Sequence, residues 1–235
     1  MKAVFRFDSQ LSVFLDRAKR GEAFEYDCAR AATLKNAIEA LGVPHTEVGA
    51  LRVNGESATL QRIVREGDYV EVETTKSGSD PDLRFVADAH LGGLARFLRM
   101  LGFDTLYCNA FSDEEIRRLA ETAGRIVLTR DRELLKCREI ARGAYVRALK
   151  PEAQLSEVTL RYGLEAQARP FSLCLACNLP LQPVERSAVA ARVPPAVLEL
   201  HEHFARCPGC NGVFWPGSHY RRMLSALRSS FDVPS

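Results

Sequence analysis

The fold of the central part of the chain is decided by residues 83–107, which read LRFVADAHLGGLARFLRMLGFDTLY. A short apolar run ends at Asp88, and leucines then recur at helical spacing as far as Gly102, which stops the helix. Residues 103–107, FDTLY, then suggest a second strand. This order of strand, helix and strand predicts parallel strands joined by a crossover helix.

The same alternation continues towards residue 150. Residues 112–115, SDEE, form a capping box that opens a second helix. Residues 125–129 and 145–148 are apolar runs of strand length, and a short helical stretch lies between them. We therefore predict an α/β domain at 83–165, with a parallel sheet and helices on both of its faces.

The first 76 residues predict a different domain, a short sheet wrapped on one helix. The stretches 3–7 and 23–27 alternate between apolar and polar residues, as half-buried strands do. A capped helix follows Thr33, and Asn54-Gly55 is a strong signal for a tight turn between two strands. Residues 77–82, SGSDPD, have the composition of a linker.

The last segment, 166–235, contains four of the seven cysteines in two C-x-x-C pairs. These residues are Cys174, Cys177, Cys207 and Cys210. Two such pairs predict a closed, tetrahedral four-thiolate site with a structural zinc ion, as in a zinc ribbon. A redox C-x-x-C motif or two pairs of surface thiols are the alternatives, but neither explains why the C-x-x-C pair occurs twice.

The charge is nearly balanced overall, with 32 basic and 30 acidic residues and a net charge of +2. The central segment is the basic one, because residues 83–150 contain 13 basic and 9 acidic residues, a difference of +4. Eleven of those cations are arginines, whose planar group suits phosphate, although a solvated helix face has a similar composition. We expect no membrane segment and no signal peptide, and the cysteine pattern favours a reducing, cytoplasmic location.

Three aspartates are candidate metal ligands. Asp88 and Asp131 each follow an apolar strand, and Asp113 opens the helix between them. Two carboxylates about 4 Å apart repel by roughly 4 kcal/mol at an effective dielectric constant of 20, so they must share a proton or a cation. Oxygen ligands favour Mg²⁺ or Mn²⁺. Each aspartate also has a structural alternative as a helix cap, a turn residue or a partner of a helix dipole.

Three stretches resemble the ribonuclease domain found at the C-terminus of the Mut-seven exonuclease, namely residues 85–88, FVAD, residues 91–105, LGGLARFLRMLGFDT, and residues 128–135, LTRDRELL. That family is a branch of the PIN-like nucleases, and the resemblance covers residues 83–230. It implies a PIN-like parallel sheet, an RNA substrate, and Asp88, Asp113 and Asp131 as catalytic ligands of Mg²⁺ or Mn²⁺. Candidates for a fourth acid are Asp104, Glu114 and Glu133.

Arginines near these acids are candidate RNA contacts. Four of them flank the proposed site, namely Arg96, Arg99, Arg130 and Arg132. Arg221 and Arg222 lie in the loop after the second cysteine pair, together with Trp215. An aromatic residue and two arginines can stack a base and bind phosphate, but Trp215 can equally pack on the ribbon.

The N-terminal segment resembles the ubiquitin-like β-grasp proteins that carry sulfur, on the basis of Val53-Asn54-Gly55 and of residues 67–72, GDYVEV. Those carriers end in Gly-Gly, whereas this chain continues into the linker without it. The resemblance therefore implies a scaffold or an interaction module with a protein partner rather than a carrier. Such a segment also occurs fused to the ribonuclease family.

The sequence thus predicts a metal-dependent ribonuclease with a β-grasp domain in front and a zinc ribbon behind. The alternative is an adaptor that binds RNA or protein through the zinc ribbon and has lost its nuclease activity.

Overall fold

The structure, a computed structural model, describes residues 1–76, residue 78 and residues 81–218. These residues pack into two compact units that do not follow the order of the chain. The first comprises residues 1–76 together with Asp113–Tyr145, and the second comprises the described residues of 78–112 and 146–218. The domain boundaries drawn from the sequence, at residues 76, 82 and 165, stay a prediction.

The N-terminal sheet of the first unit is mixed and has five strands. These are, in chain order, β1 (Lys2–Phe7), β2 (Phe24–Asp27), β3 (Val48–Val53), β4 (Glu56–Ala58) and β5 (Tyr69–Thr74). The spatial order is β2-β1-β5-β3-β4, with β1 and β5 parallel and the other pairs antiparallel. The helix α1 (Leu34–Ala40) contributes Leu34 and Ile38 to the same core. This is a β-grasp arrangement.

Local sequence explains these elements. In β1 the alternate residues Ala3, Phe5 and Phe7 are buried, so the apolar face of the strand contacts the core. Asn54 and Gly55 have φ values of 54° and 84°, which the tight turn between β3 and β4 requires. The predicted strand and the predicted turn are both confirmed.

The central segment alternates strands and helices as predicted, although its last strand lies at Gly143–Tyr145 instead of at residues 145–148. Its elements are β6 (Phe85–Ala87), α2 (Gly92–Met100), β7 (Thr105–Leu106), α3 (Asp113–Ala123), β8 (Ile126–Thr129), α4 (Arg132–Leu135) and β9 (Gly143–Tyr145). In the second unit β6 pairs with β7, and in the first unit β8 pairs with β9. Both pairs are parallel.

Gly102 ends the helical stretch for two physical reasons. Its φ of 88° lies in the left-handed region that favours glycine. A Cβ at this position would also collide with the backbone carbonyl oxygen of Arg169, and backbone atoms cannot move aside as a flexible side chain can. The predicted helix stop is therefore confirmed.

The C-terminal segment contains a small antiparallel sheet. Its elements are α5 (Pro151–Tyr162), β10 (Gln182–Val184), α6 (Arg186–Val189), α7 (Pro195–Leu200), β11 (Phe204–Arg206) and β12 (Val213–Phe214). The strand order is β10-β11-β12. A minor core of Val189, Val193 and Phe204 stabilises it.

The predicted fold class is confirmed. It comprises a β-grasp sheet, parallel strands with helices, and a small antiparallel sheet that accompanies four clustered cysteines. Within the described part of the chain, no helix has the length and apolar character that crossing a bilayer requires.

Candidate functional site

The four cysteines of the C-terminal segment come together, as their spacing predicts. All four Sγ atoms lie within 4.8 Å of one another, and they belong to Cys174, Cys177, Cys207 and Cys210. The Sγ atoms of Cys174 and Cys210 are 3.8 Å apart. Four sulfur atoms at this spacing form the donor set of a closed tetrahedral metal site.

The two cysteine pairs have the same backbone geometry. In each pair an asparagine follows the second cysteine and donates its N–H to the carbonyl oxygen of the first. The distance is 2.9 Å from Asn178 to Cys174 and 3.0 Å from Asn211 to Cys207. Both asparagines have positive φ values, 60° and 57°. The two cysteine pairs therefore form turns of the same kind, and each turn supplies two sulfur atoms.

The thiols differ in pKa. Burial disfavours the thiolate of Cys207, but hydrogen bonds from the backbone N–H groups of Cys210 and Gly209 lower its pKa to about 7. A hydrogen bond with the thiol of Cys210, together with burial, raises the pKa of Cys177 to about 12. Clustered thiolates repel one another, and a divalent cation removes that repulsion. The donor set is therefore consistent with zinc.

Arg99 contacts this cluster instead of facing solvent. Only 5% of its surface is exposed, and its Nε donates a hydrogen bond of 2.9 Å to the carbonyl oxygen of Thr105. Its Nη1 donates to the carbonyl oxygens of Leu175 and Ala176, each at 2.9 Å, inside the first cysteine pair. Burial lowers the pKa of the guanidinium, and the negative charge of the Cys174 and Cys177 thiolates partly offsets this effect. This placement corrects the RNA contact predicted for Arg99, because the side chain is buried and its Nε and Nη1 donate hydrogen bonds inside the protein.

A second connection joins the first cysteine pair to β7. The Nδ2 of Asn178 donates a hydrogen bond of 2.6 Å to Oδ1 of Asp104, and its Oδ1 accepts one of 3.0 Å from the backbone N of Thr105. Asp104, a candidate for the fourth acid, is therefore engaged with the ribbon. The sequence analysis missed this contact, because the two side chains are 74 positions apart in the chain.

Asp88 lies directly after β6, as predicted. It is half-buried, and its Oδ1 accepts a hydrogen bond of 2.6 Å from the backbone N of Ala89. It thereby caps the 3-10 segment Ala89–Leu91. The cap fixes a carboxylate at the carboxyl end of a buried strand, which is where α/β sheets commonly place functional groups.

Asp113 and Asp131 belong to the first unit. Asp113 is the first residue of α3, and Asp131 caps α4 by accepting hydrogen bonds from the backbone N of Glu133 at 2.8 Å and of Leu134 at 3.3 Å. Burial raises the pKa of the Cys137 thiol, and Asp113 and Asp131 are among the acids that raise it further.

The other arginines and acids proposed from the sequence differ in their exposure and in their contacts. Arg96 is exposed on α2, and Arg130 is half-buried after β8. The guanidinium of Arg132 donates to the carbonyl oxygen of Val13 at 3.0 Å and lies over the ring of Phe14. Of the fourth-acid candidates, Glu114 is exposed and Glu133 forms an ion pair of 2.7 Å with Lys136. Arg221 and Arg222 lie outside the described residues.

Comparison with solved structures returns the crystal structure of SAMP1 from Haloferax volcanii. It is 19% identical to this chain over 34% of the chain and all of SAMP1, with a TM-score of 0.27. No curated protein matches the chain.

Two family models match the chain, and together they span most of it. The model described as Mut7-C ubiquitin matches residues 1–79, and the model described as Mut7-C RNAse domain matches residues 83–227. The second match alone covers more than half of the 235 residues. The chain therefore belongs to the Mut7-C RNAse domain family, with a Mut7-C ubiquitin-like domain at its N-terminus.

Proposed function

We propose that this chain is a metal-dependent ribonuclease that hydrolyses phosphodiester bonds in RNA. Membership of a ribonuclease domain family is the observation that carries the proposal. We assign the catalytic metal, Mg²⁺ or Mn²⁺, to the carboxylates of Asp88, Asp113 and Asp131, as the resemblance to the PIN-like nucleases implies. A structural zinc ion on the four cysteines is the second part of the proposal.

The hydrogen bonds and the exposure of the aspartate side chains support metal binding. Asp131 uses Oδ1 for its cap, while its other oxygen makes no hydrogen bond to any described residue. Asp113 is exposed at the start of α3, and its carboxylate has no hydrogen-bond or ion-pair partner in the part of the chain that the structure describes. Asp88 is held by its own backbone cap. A carboxylate that its cap holds in place and that keeps an available oxygen, as that of Asp131 does, suits a hard divalent cation.

Each of these residues would have its own role in the reaction. A divalent ion bound here would activate water and offset the charge that develops on the phosphate. Asp88, Asp113 and Asp131 would hold that ion, and the backbone caps of Asp88 and Asp131 would keep their carboxylates oriented. Arg96 and Arg130 remain the candidates for binding the RNA backbone, since arginine suits phosphate oxygens.

The ribbon would orient RNA without taking part in the chemistry. Four sulfur ligands complete a tetrahedral zinc site and leave no position for substrate or water. The cytoplasmic location that we propose suits this site, because metal-binding thiols persist where cysteines stay reduced.

The decisive experiment measures cleavage of single-stranded and structured RNA by the full chain, with and without added Mn²⁺. We expect Asp131→Asn, Asp88→Asn and Asp113→Asn each to lower kcat by about 100-fold or more, as loss of one group that stabilises transition-state charge does. Glu121→Gln, which removes an exposed acid from α3, is the matched control. The zinc content of each variant verifies that the ribbon has folded.

Two results would contradict the proposal. Cleavage that needs no divalent ion and survives Asp131→Asn would exclude the carboxylate mechanism. Tight RNA binding without cleavage of any RNA would favour the adaptor function, in which the ribbon binds RNA and the nuclease segment is inactive.

A further inference from the structure

The side chain of Arg132, which follows the candidate ligand Asp131, is held by the N-terminal segment. Its Nη2 donates a hydrogen bond of 3.0 Å to the carbonyl oxygen of Val13. Its Cζ lies 5.2 Å from the ring centre of Phe14 and 5.4 Å from that of Tyr145. The guanidinium therefore contacts two aromatic rings, an arrangement that stabilises an arginine in one orientation.

The two rings also contact each other, with centres 5.3 Å apart and an interplanar angle of 72°. Phe14 ends the 3-10 segment Ser9–Phe14 and is 4% exposed, so the core of the β-grasp segment fixes its position. Tyr145 ends β9, which belongs to the nuclease part of the sequence. The edge-to-face contact joins these two parts of the first unit.

A second group of contacts reaches the same strand from the 3-10 segment His45–Glu47. Oε1 of Glu47, a residue that is 1% exposed, accepts a hydrogen bond of 2.8 Å from the backbone N of Tyr145. Nε2 of His45 lies 2.9 Å from the carbonyl oxygen of Ile140. The β-grasp segment therefore holds the chain from Ile140 to Tyr145 at both of its ends.

These contacts continue to Asp131 through β8. Tyr145 lies opposite Thr129 in the β8–β9 register. Oγ1 of Thr129 in turn accepts a hydrogen bond of 2.9 Å from the backbone N of Asp131. Asp131 is thus held from β8 on one side, while its neighbour Arg132 is held by Val13 and Phe14 on the other.

The helix that Asp131 caps cannot fix the carboxylate by itself. α4 has only four residues, and a helix this short is unstable without tertiary contacts. Its orientation must come from packing, and the β-grasp segment supplies packing at its first residue, Arg132.

We propose that the ubiquitin-like segment is an internal positioning element for the nuclease, with Phe14, Glu47 and Arg132 as positioning residues for Asp131. This inference rests on the proposed function, in which Asp131 binds the catalytic ion. It gives the β-grasp segment a role in its own chain that requires neither a Gly-Gly terminus nor transfer of sulfur. Because a misplacement of about 1 Å costs on the order of 100-fold in rate, loosening these contacts lowers kcat.

The test uses Phe14→Leu in the full chain, with Phe5→Leu as its matched control in the same core. Phe5 is fully buried in β1, and its ring contacts are with Phe7 and Tyr26. We expect Phe14→Leu to lower kcat for Mn²⁺-supported RNA cleavage by about tenfold, with KM for RNA unchanged. Phe5→Leu should leave kcat unchanged at a temperature where both variants are folded.

Combination with Arg132→Ala separates positioning from direct RNA binding. If Phe14 acts through Arg132, the double variant is no slower than the slower single variant, because both changes loosen the same contact. An increase in KM with Arg132→Ala, together with a normal kcat for Phe14→Leu, would assign Arg132 to RNA and overturn the inference.

A readout that needs no activity keeps this inference distinct from the proposed function. The backbone amides of Glu133 and Leu134 donate to Asp131, so their hydrogen exchange reports the order of the loop. Faster exchange at these amides in Phe14→Leu than in Phe5→Leu supports positioning even if the wild-type chain cleaves no RNA. Equal exchange in the two variants would overturn it, whatever the cleavage assay shows.

Discussion

At the scale of single residues, the surroundings of each arginine decide which groups its guanidinium can bind. Arg99 extends into the interior of the second unit, where three backbone carbonyl oxygens accept its hydrogen bonds. Arg96 lies three residues earlier on the same helix and is exposed. The two side chains are chemically identical, yet only the exposed one is available to a phosphate group.

We expect Arg99→Lys to weaken both the fold and the zinc site. A lysine has a single ammonium group, which cannot reproduce hydrogen bonds from Nε and Nη1 to acceptors on two sides. We expect a loss of about 2 kcal/mol in the free energy of unfolding and faster transfer of zinc to a chelator, by about 10-fold or more. Chelator-coupled absorbance and urea unfolding measure the two effects.

Arg96→Lys is the control for that experiment, because Arg96 lies on α2 and is exposed. Equal rates of zinc release from the two variants would show that the hydrogen bonds of Arg99 do not stabilise the cysteine cluster.

The second residue-scale prediction concerns the pH dependence of stability at Asp68. This aspartate is 3% exposed, and it accepts hydrogen bonds from Arg62 at 2.6 Å and from the backbone N of Arg65 at 2.8 Å. The hydrogen bond from Arg62 is the main cause that lowers the pKa of Asp68. A lowered pKa in the folded state stabilises the fold above the unfolded value of about 3.9, and this stability is lost as the pH falls through the folded value.

We therefore expect Asp68→Asn to lower the free energy of unfolding at neutral pH by about 2 kcal/mol and to weaken its decline below about pH 4. Urea unfolding of the full chain at a series of pH values tests both expectations. Asp27→Asn, at an exposed position of β2, should change neither quantity. A variant at position 68 that keeps the wild-type pH profile would contradict the sign of the pKa shift.

At the scale of elements, the ribbon and the β-grasp sheet depend on different interactions. The β-grasp sheet has a large apolar core that includes Phe5, Leu34 and Val70. The ribbon sheet packs on a far smaller core of Val189, Val193 and Phe204. A small core leaves little hydrophobic stabilisation, so a bound metal must contribute much of the folding free energy of the ribbon.

The element-scale prediction follows from this difference. We expect one zinc ion per chain, and we expect Cys210→Ser or removal of zinc to disorder β10, β11 and β12 while the β-grasp sheet stays folded. Structural zinc contributes on the order of 10 kcal/mol in small domains, so the effect should be complete. Elemental analysis and the dispersion of amide resonances measure it.

Cys137→Ser is the control, since this thiol lies on the first unit, outside the cysteine cluster. A ribbon that keeps its strands without metal would contradict the structural role of zinc.

At the scale of the whole molecule, chain order and packing differ. Residues 113–145 belong to the matched RNAse region of the sequence, yet they pack in one compact unit with residues 1–76. Linear motifs place a boundary at the linker, because composition changes there. The packing crosses that boundary, because Glu47 and Phe14 of the N-terminal segment contact Tyr145 directly.

Local physics let the sequence determine most of the architecture. Apolar runs and alternation predicted the strands, helical spacing and Gly102 predicted α2 and its end, and the paired C-x-x-C spacing predicted the cysteine cluster. Each of these signals depends on residues close together in the chain. The candidate carboxylates were found the same way, from their positions after strands or at a helix start, and their joint role stays a prediction.

Only the tertiary structure decided what the arginines contact. Arg99 binds a carbonyl group 76 residues away, and Arg132 binds one 119 residues away. Backbone carbonyl groups are chemically the same at every position, so no residue pattern identifies the one that will accept a hydrogen bond from a given guanidinium. Packing selects it, which is why the exposed and the buried arginines of one helix could not be told apart before the chain was folded.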